Sequence, residues 1–129
     1  MLYGIKNVFQ FSIEGAPDNS LVDSNYKKNY QAFEESIMLV TADSFDDAYE
    51  VAKKKAREAE DTYVNIYGQT VLIKFIDSVD CYSISESELE NGMEVYSNII
   101  ETDTLTSPKK YIEDNFRIDN SKKHMLLYR

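Results

Sequence analysis

The stretch GQTVLIKFIDSVDCYSISESELENGMEVYSNII, residues 68–100, decides the expected fold. Its first half alternates along the chain, which places Val71, Ile73 and Phe75 on one face of a β-strand, and Val79 and Cys81 continue that face. The opposite face also carries apolar side chains, namely Leu72, Ile76, Tyr82 and Ile84. Because both faces are apolar, we expect a strand in the interior of a sheet. Gly92 then begins a second strand, and the two strands are predicted to pair antiparallel.

Two strands and a helix are predicted in the N-terminal half. Residues 2–14 alternate as a half-buried strand. Residues 33–42 form another strand whose centre is apolar on both faces, so it too is expected inside the sheet. Ser44 has the features of an N-cap and is followed by carboxylates that favour the positive end of a helix. The helix predicted over 44–60 carries an alanine-rich apolar stripe, and small side chains allow close packing on a sheet.

The remaining segments complete one domain over residues 1–129. Residues 15–31 are rich in turn-forming residues and are predicted to be a mobile loop. Residues 104–129 supply a short helix, which begins at Ser107 and Pro108, and a basic tail that forms an edge strand or docks on the sheet. The predicted fold class is α+β: an antiparallel sheet of four or five strands, one long helix packed on one face, and a short C-terminal helix.

The charge of the chain narrows the classes of partner. The 23 acidic side chains outnumber the 14 of Lys and Arg, so the net charge is −9. Between Phe75 and Pro108 there is no basic residue, whereas eight acids lie there. An acidic surface argues against nucleic-acid binding. The sequence contains no membrane-span pattern and no signal-peptide pattern at its start, so we expect a cytoplasmic protein with no membrane partner.

No catalytic constellation stands out in the sequence. His124 is the only histidine and Cys81 the only cysteine, so neither a histidine pair nor a triad can form. Cys81 lies in an apolar strand and is interpreted as a structural thiol. The aspartates at 43, 46 and 47 are explained by helix capping, and four glycines are too few for a phosphate loop. We predict no enzyme activity, no metal site and no cofactor.

The loop contains an aromatic and basic patch. Tyr26 and Tyr30 flank Lys27 and Lys28. The patch binds a ligand or an acidic partner, or its rings pack back on the sheet. We favour the second interpretation because burial of an aromatic ring is favourable.

Size, charge and tyrosine content favour a protein-binding module. Ten tyrosines with no tryptophan suit an interface, and acidic charge steers basic partners towards the surface. We predict an immunity or inhibitor type of module that binds a basic protein such as a toxin. The expected contact residues are Glu86, Glu88, Glu90, Glu94 and Tyr96.

Other interpretations remain open. The main alternative is a small-ligand-binding or enzymatic domain with a polar pocket around Glu35, Asn65 and Tyr96. Mimicry of nucleic acid by the acidic run is a weaker alternative, and acidic charge also serves solubility alone. Self-association is left open.

Several motifs carry a family resemblance. They are EESIMLVTADSFDDAYEVA from residue 34, the residues Tyr63, Asn65, Gly68 and Val71 before KFIDSVDCY, and GMEVYS from residue 92. In this order they resemble a bacterial domain family of unknown function made of short single-domain proteins. The resemblance implies an α+β fold and a bacterial cytoplasmic protein, and it carries over no active site. The matching polar positions are Glu35, Ser36, Asn65, Gly68, Glu94, Tyr96 and Ser97.

Overall fold

Antiparallel strands form a four-stranded sheet in the order β2-β1-β4-β3. The computed structural model describes residues 1–84, 88, 90–116 and 125–129. Within them the strands are β1 (Leu2–Glu14), β2 (Gln31–Thr41), β3 (Asp61–Val64) and β4 (Thr70–Ile84). The helices are α1 (Phe45–Glu58) and α2 (Pro108–Asn115), and Met125–Leu127 forms a 3-10 turn. The α+β class and the four-stranded antiparallel sheet agree with the prediction.

Strand β1 lies at the centre of the pairing. It pairs antiparallel with β2 along one edge and with β4 along the other, from Leu2 opposite Ile84 to Glu14 opposite Thr70. Alternate residues of β1 point to the same face, and four of them are buried there: Tyr3, Ile5, Asn7 and Phe9. This face of the sheet holds the main core.

Strand β4 contains irregularities that the alternation of its sequence did not reveal. Ile76 and Val79 have no partner in the register with β1, and both are about half exposed, at 50% and 54%. Each unpaired residue shifts the alternation of the strand by one position. Ser78 is therefore buried and donates a hydrogen bond of 2.7 Å to Asn7, whereas Val79, predicted on the face of Val71, is exposed.

Helix α1 begins where the sequence predicts. The hydroxyl of Ser44 accepts a hydrogen bond of 3.1 Å from the backbone N–H of Asp47, which caps the first turn. Ala48 and Ala52 are fully buried and share a core cluster with Tyr3, Ile5 and Val40. Because these contact residues are alanines, the helix backbone lies close to the sheet, where it contacts β4 as well as β1 and β2. The helix has 14 residues.

Helix α2 also agrees with its prediction. It runs from Pro108 to Asn115, and the hydroxyl of Ser107 accepts a hydrogen bond from the N–H of Lys110 at 3.1 Å.

The C-terminal residues 125–129 dock on the turn between β3 and β4, where the N–H of Ile66 donates to the carbonyl of Tyr128 at 2.8 Å. Of the two alternatives for the tail, the described residues follow the docked one.

Two predictions about the sheet are wrong. Residues 92–100 do not form a strand; Tyr96 of this segment instead lies on the face of the sheet, against Lys6 and Tyr82. On its second edge, β4 pairs with β3 only from Thr70 to Ile73. Strand β2 is not internal but lies at an edge of the sheet. Ile37 and Leu39, on the face opposite the core, are 41% and 43% exposed. An apolar pattern on both faces therefore did not distinguish an edge strand from an internal one.

Gly4 marks a close approach between two strands on the face opposite α1. It pairs with Tyr82, whose ring lies across the glycine. A Cβ atom at this position would overlap with the ring. Glycine within a strand commonly has this role.

Substitution Gly4→Ala should therefore lower the free energy of unfolding by about 1–3 kcal/mol, because the added methyl group displaces the Tyr82 ring. Urea denaturation measures the loss. Ser12→Ala, elsewhere on β1, serves as a control and should change stability by less than about 0.5 kcal/mol. In a Tyr82→Ala background the cost of Gly4→Ala should largely disappear, and an undiminished cost there would contradict the explanation.

Candidate functional site

A lysine, a glutamate and two tyrosines meet on the sheet face opposite α1. Lys6 comes from β1, Glu35 from β2 and Tyr82 from β4, while Tyr96 comes from the irregular segment after residue 90. The Lys6 ammonium group forms an ion pair with the carboxylate of Glu35 and lies 5.5 Å from the centre of the Tyr96 ring. The Tyr96 and Tyr82 rings meet edge to face, 5.6 Å between centres. These four residues are called the Lys6 cluster.

The pairing of the strands produces this arrangement. Lys6 is opposite Ile37 in β2, so Glu35 is its diagonal neighbour on the same face. Tyr82 is opposite Gly4, two residues before Lys6 along β1. The cluster therefore depends on both registers of β1.

The electrostatics keep Lys6 cationic. Its pKa is raised above the ordinary value, chiefly by the hydrogen bond with Glu35, although partial burial acts in the opposite direction. The Lys6 side chain is 23% exposed and that of Glu35 is 63% exposed. A lysine that acts as nucleophile or base needs a lowered pKa. The pKa of Lys6 is therefore shifted in the direction opposite to the one that such a role needs.

A concave pocket of about 240 Å³ lies beside the cluster. Its walls come from residues 82–84 at the end of β4 and from residues 94–97. The Tyr82 hydroxyl is buried and has no hydrogen-bond partner within the part of the chain that the structure describes. Burial, followed by the neighbouring Tyr96, raises the pKa of Tyr82, so the hydroxyl keeps its proton. A buried hydroxyl without a partner costs about 1–3 kcal/mol.

Asn65 belongs to a different site, the turn between β3 and β4. Its Oδ1 accepts hydrogen bonds from the N–H groups of Tyr67 and Gln69, at 3.0 and 2.9 Å. Its Nδ2 donates to the carbonyl of Leu126 in the docked tail at 2.9 Å. Asn65 therefore shapes the turn and holds the C-terminus.

The structure divides the polar pocket predicted around Glu35, Asn65 and Tyr96. Glu35 and Tyr96 both contact Lys6. Asn65 lies beyond the pair Glu14–Thr70, about 25 Å from Lys6 by the rise of eight strand residues. The three residues do not form one site.

The predicted partner-binding residues are placed as follows. Glu88, Glu90 and Glu94 are exposed, and Glu94 also lines the pocket beside the Lys6 cluster. Tyr96 is half-buried in the cluster, and Glu86 lies outside the described residues. Their binding role stays a prediction.

The side chains of other candidates have structural surroundings. Cys81 is partly buried against the core, and burial raises the pKa of its thiol, which disfavours the reactive thiolate. His124 lies outside the described residues. Among residues 1–84, 88, 90–116 and 125–129, no group of three potential ligands could hold a metal ion, and no helix is long and apolar enough to cross a membrane.

Sequence reasoning missed Lys6 and Tyr82 as site residues. Lys6 occupies an ordinary polar position of an alternating strand, and Tyr82 was one of several apolar residues on its face. Gly4 was the available signal, because a glycine inside a strand indicates that another group lies close to the backbone.

Comparison with known families gives the chain its classification. A family model described as a domain of unknown function matches residues 2–97. The chain belongs to the family DUF4288. The matched range contains the whole sheet, α1, the Lys6 cluster and Asn65, while α2 and the docked tail follow it. This confirms the resemblance seen in the sequence; the bacterial origin stays a prediction.

Searches of curated proteins and of solved structures give no match to this DUF4288 chain. The family description assigns no activity.

Removal of the Tyr82 hydroxyl and removal of the Tyr67 hydroxyl should change the free energy of unfolding in opposite directions. Tyr82→Phe deletes a buried hydroxyl without a partner and should raise the free energy of unfolding by up to about 1 kcal/mol. Tyr67→Phe deletes a hydroxyl that donates to Asp23 at 2.7 Å and should lower it by about 1 kcal/mol or more. Urea denaturation of both variants measures the difference. Equal losses in the two variants would show that the Tyr82 hydroxyl has a partner.

Asn65→Ala should be strongly destabilising. It leaves the buried N–H groups of Tyr67 and Gln69 and the carbonyl of Leu126 without their partner, at a cost of about 2–4 kcal/mol. Asn98→Ala, at an exposed asparagine, is the matched control and should change stability by less than about 0.5 kcal/mol. Urea midpoints within error of each other would contradict the role given to Asn65.

Proposed function

We propose that this protein is a binding module of immunity or inhibitor type, which binds a basic protein such as a toxin along the outer edge of β2. The observation that supports the proposal is the state of this edge strand. β2 has 11 residues and pairs with β1 on one side, and within the described residues no strand pairs with its other side. Phe33, Ile37 and Leu39 are 57%, 41% and 43% exposed.

Such an edge is unusual in a protein that acts alone. Edge strands are normally short, charged, bent or covered, because a long apolar edge recruits another strand. A partner that adds a strand here gains backbone hydrogen bonds, and its alternate side chains meet Phe33, Ile37 and Leu39. This is the β-augmentation mode of recognition.

Charge favours a basic partner. The chain has a net charge of −9, and Glu34 and Glu35 lie within β2 itself. Glu88, Glu90 and Glu94 are also exposed and would raise the rate of encounter with a cationic surface. Inhibition by occupation of a surface requires no catalytic group.

The test begins with recovery of a partner. The tagged protein is used to capture proteins from its native lysate at about 0.05 M and 0.2 M salt, and mass spectrometry identifies them. We expect one basic protein, recovered less well at the higher salt. Recovery of no partner at either salt concentration would count against the proposal.

Affinity measurements with the purified partner then test the surface. Phe33→Thr/Ile37→Thr should weaken binding at least tenfold, because it removes the apolar contacts but keeps residues that favour a strand. Ile99→Thr/Leu105→Thr removes two apolar side chains elsewhere that are even more exposed, at 86% and 89%, and should leave the affinity unchanged. If the two double variants weakened binding equally, the result would contradict the placement of β2 in the interface.

Charge reversal tests whether the exposed acidic residues attract the basic partner during association. Glu88→Lys/Glu90→Lys should slow association several-fold at low salt, and the difference from wild type should shrink as salt is raised. Glu50→Lys/Glu58→Lys makes the same change of charge on α1 and serves as the control. An association rate that is the same in all three proteins would contradict the acidic contact residues.

A small polar ligand in the pocket beside the Lys6 cluster is the second candidate. The supporting observation is the buried Tyr82 hydroxyl, a donor that a ligand could satisfy beside a pocket of about 240 Å³. Native mass spectrometry of protein purified under mild conditions should then show a bound mass that Tyr82→Phe loses. A single species of the chain mass would favour the protein-binding proposal.

A further inference from the structure

A second pocket lies at the other end of the sheet from the Lys6 cluster. The loop between β1 and β2 folds there against the turn between β3 and β4 and encloses about 300 Å³. The pocket is lined by the end of β1, by residues 15–17 and 26–30 of the loop, and by Gln69. It is called the loop pocket.

Three of the contacts that attach the loop to the turn involve Tyr67. The N–H of Asp18 donates to the carbonyl of Tyr67 at 2.8 Å, and the Tyr67 hydroxyl donates to the Asp23 carboxylate at 2.7 Å. The Tyr26 ring meets the Tyr67 ring edge to face, 5.3 Å between centres. Tyr67 is fully buried, so these contacts join the loop to a firm part of the fold. These contacts therefore hold the loop residues that line the loop pocket in place against the turn.

Gln69 contributes a fixed polar wall. Its side chain is buried, its Nε2 donates to the carbonyl of Gly15 at 2.8 Å, and its Oε1 accepts from Asn65 at 3.4 Å. The same asparagine that shapes the turn therefore also supports the pocket.

Two tyrosines give the pocket aromatic walls. Tyr26 and Tyr30 are both half-buried, and both rings line the cavity. The Tyr26 ring contacts Tyr67 in the turn, and packing of the two rings on the sheet itself stays a prediction. Burial raises the pKa of Tyr30, which keeps its hydroxyl protonated as a donor. A planar group fits against such walls by ring stacking.

The charge at the pocket opposes that of the whole chain. Lys27 and Lys28 line it side by side, and the turn that presents them is closed by Asn29 with a left-handed backbone, φ 54°. Both lysines are exposed, and in the part of the chain that the structure describes neither forms an ion pair. The nearby Asp23 carboxylate is engaged by Tyr67, which lowers its pKa. Two adjacent cations in a protein of charge −9 favour an anionic ligand.

We infer that the loop pocket binds a small molecule that combines a planar ring with a phosphate or carboxylate group. The ring lies against Tyr26 and Tyr30, and the anionic group is held by Lys27 and Lys28. A volume of about 300 Å³ is at the lower end of ligand pockets, which favours a small molecule over a peptide. The site is separate from β2, so its failure would leave the protein-binding proposal standing.

The test is an amide NMR titration of the full chain with defined probes at about 0.15 M salt, where weak long-range attraction is screened. Phenyl phosphate and benzoate carry both features, phenol has only the ring, and inorganic phosphate has only the anion. We expect at least one of the first two to produce saturable shifts in residues 26–30 and in the Gln69 side chain. If phenyl phosphate binds more tightly than benzoate, the preferred anionic group is a phosphate; if benzoate binds more tightly, it is a carboxylate. Phenol and inorganic phosphate should each bind at least tenfold more weakly.

Variants separate the site from general electrostatics. Lys27→Glu/Lys28→Glu should weaken binding of the better probe roughly tenfold or more, as expected for loss of charge-assisted hydrogen bonds. Lys109→Glu/Lys110→Glu makes the same change at another pair of adjacent lysines and should leave the affinity unchanged. The inference is overturned if neither anionic probe saturates, if phenol or inorganic phosphate binds equally well, or if both double variants lose affinity alike.

Discussion

The antiparallel pairing of β1 with β4 is the constraint on which the other parts of this structure depend. It extends over nearly the whole of both strands, from Leu2–Ile84 to Glu14–Thr70. Within the described residues, strand β2 pairs only with β1 and therefore forms one border of the sheet. Among the same residues, the short strand β3 pairs only with β4 and forms the other border. The face on which Tyr3 and Ile5 lie is covered by the alanines of α1.

The same pairing separates two sites by the length of β1. At one end, Lys6 and Glu35 form an ion pair below Tyr96, and Gly4 leaves space for the Tyr82 ring. At the other end, Asn65 holds a turn and the docked tail, and the loop pocket opens beside it. A single small DUF4288 domain therefore offers two distinct pockets and an exposed edge strand.

Polar groups in this protein differ in how they are satisfied. Asn65 uses its oxygen and nitrogen in bonds to three backbone groups, and Ser78 bonds to Asn7 beneath α1. The Tyr82 hydroxyl stands apart, since it has no partner in the described part of the chain. A buried network whose polar groups are all hydrogen-bonded helps to specify one structure. A single buried donor without a partner lowers stability unless a bound molecule supplies an acceptor. A polar ligand in the pocket beside Tyr82 would supply the acceptor that this hydroxyl lacks within the described residues.

The sequence by itself determined the features that depend on neighbours along the chain. Ser44 and Ser107 cap the two helices as predicted, β1 alternates as expected, and the excess of acidic residues follows from composition. Only the tertiary structure decided which strands pair: β3 pairs with the start of β4, residues 92–100 form no strand, and β2 is an edge strand. Alternation of side chains records which faces are apolar, but it contains no information on which backbone hydrogen-bonds to which. The Lys6 cluster could not be read from the sequence for this reason, because its members meet only through two registers of β1 and an irregular segment that carries Tyr96.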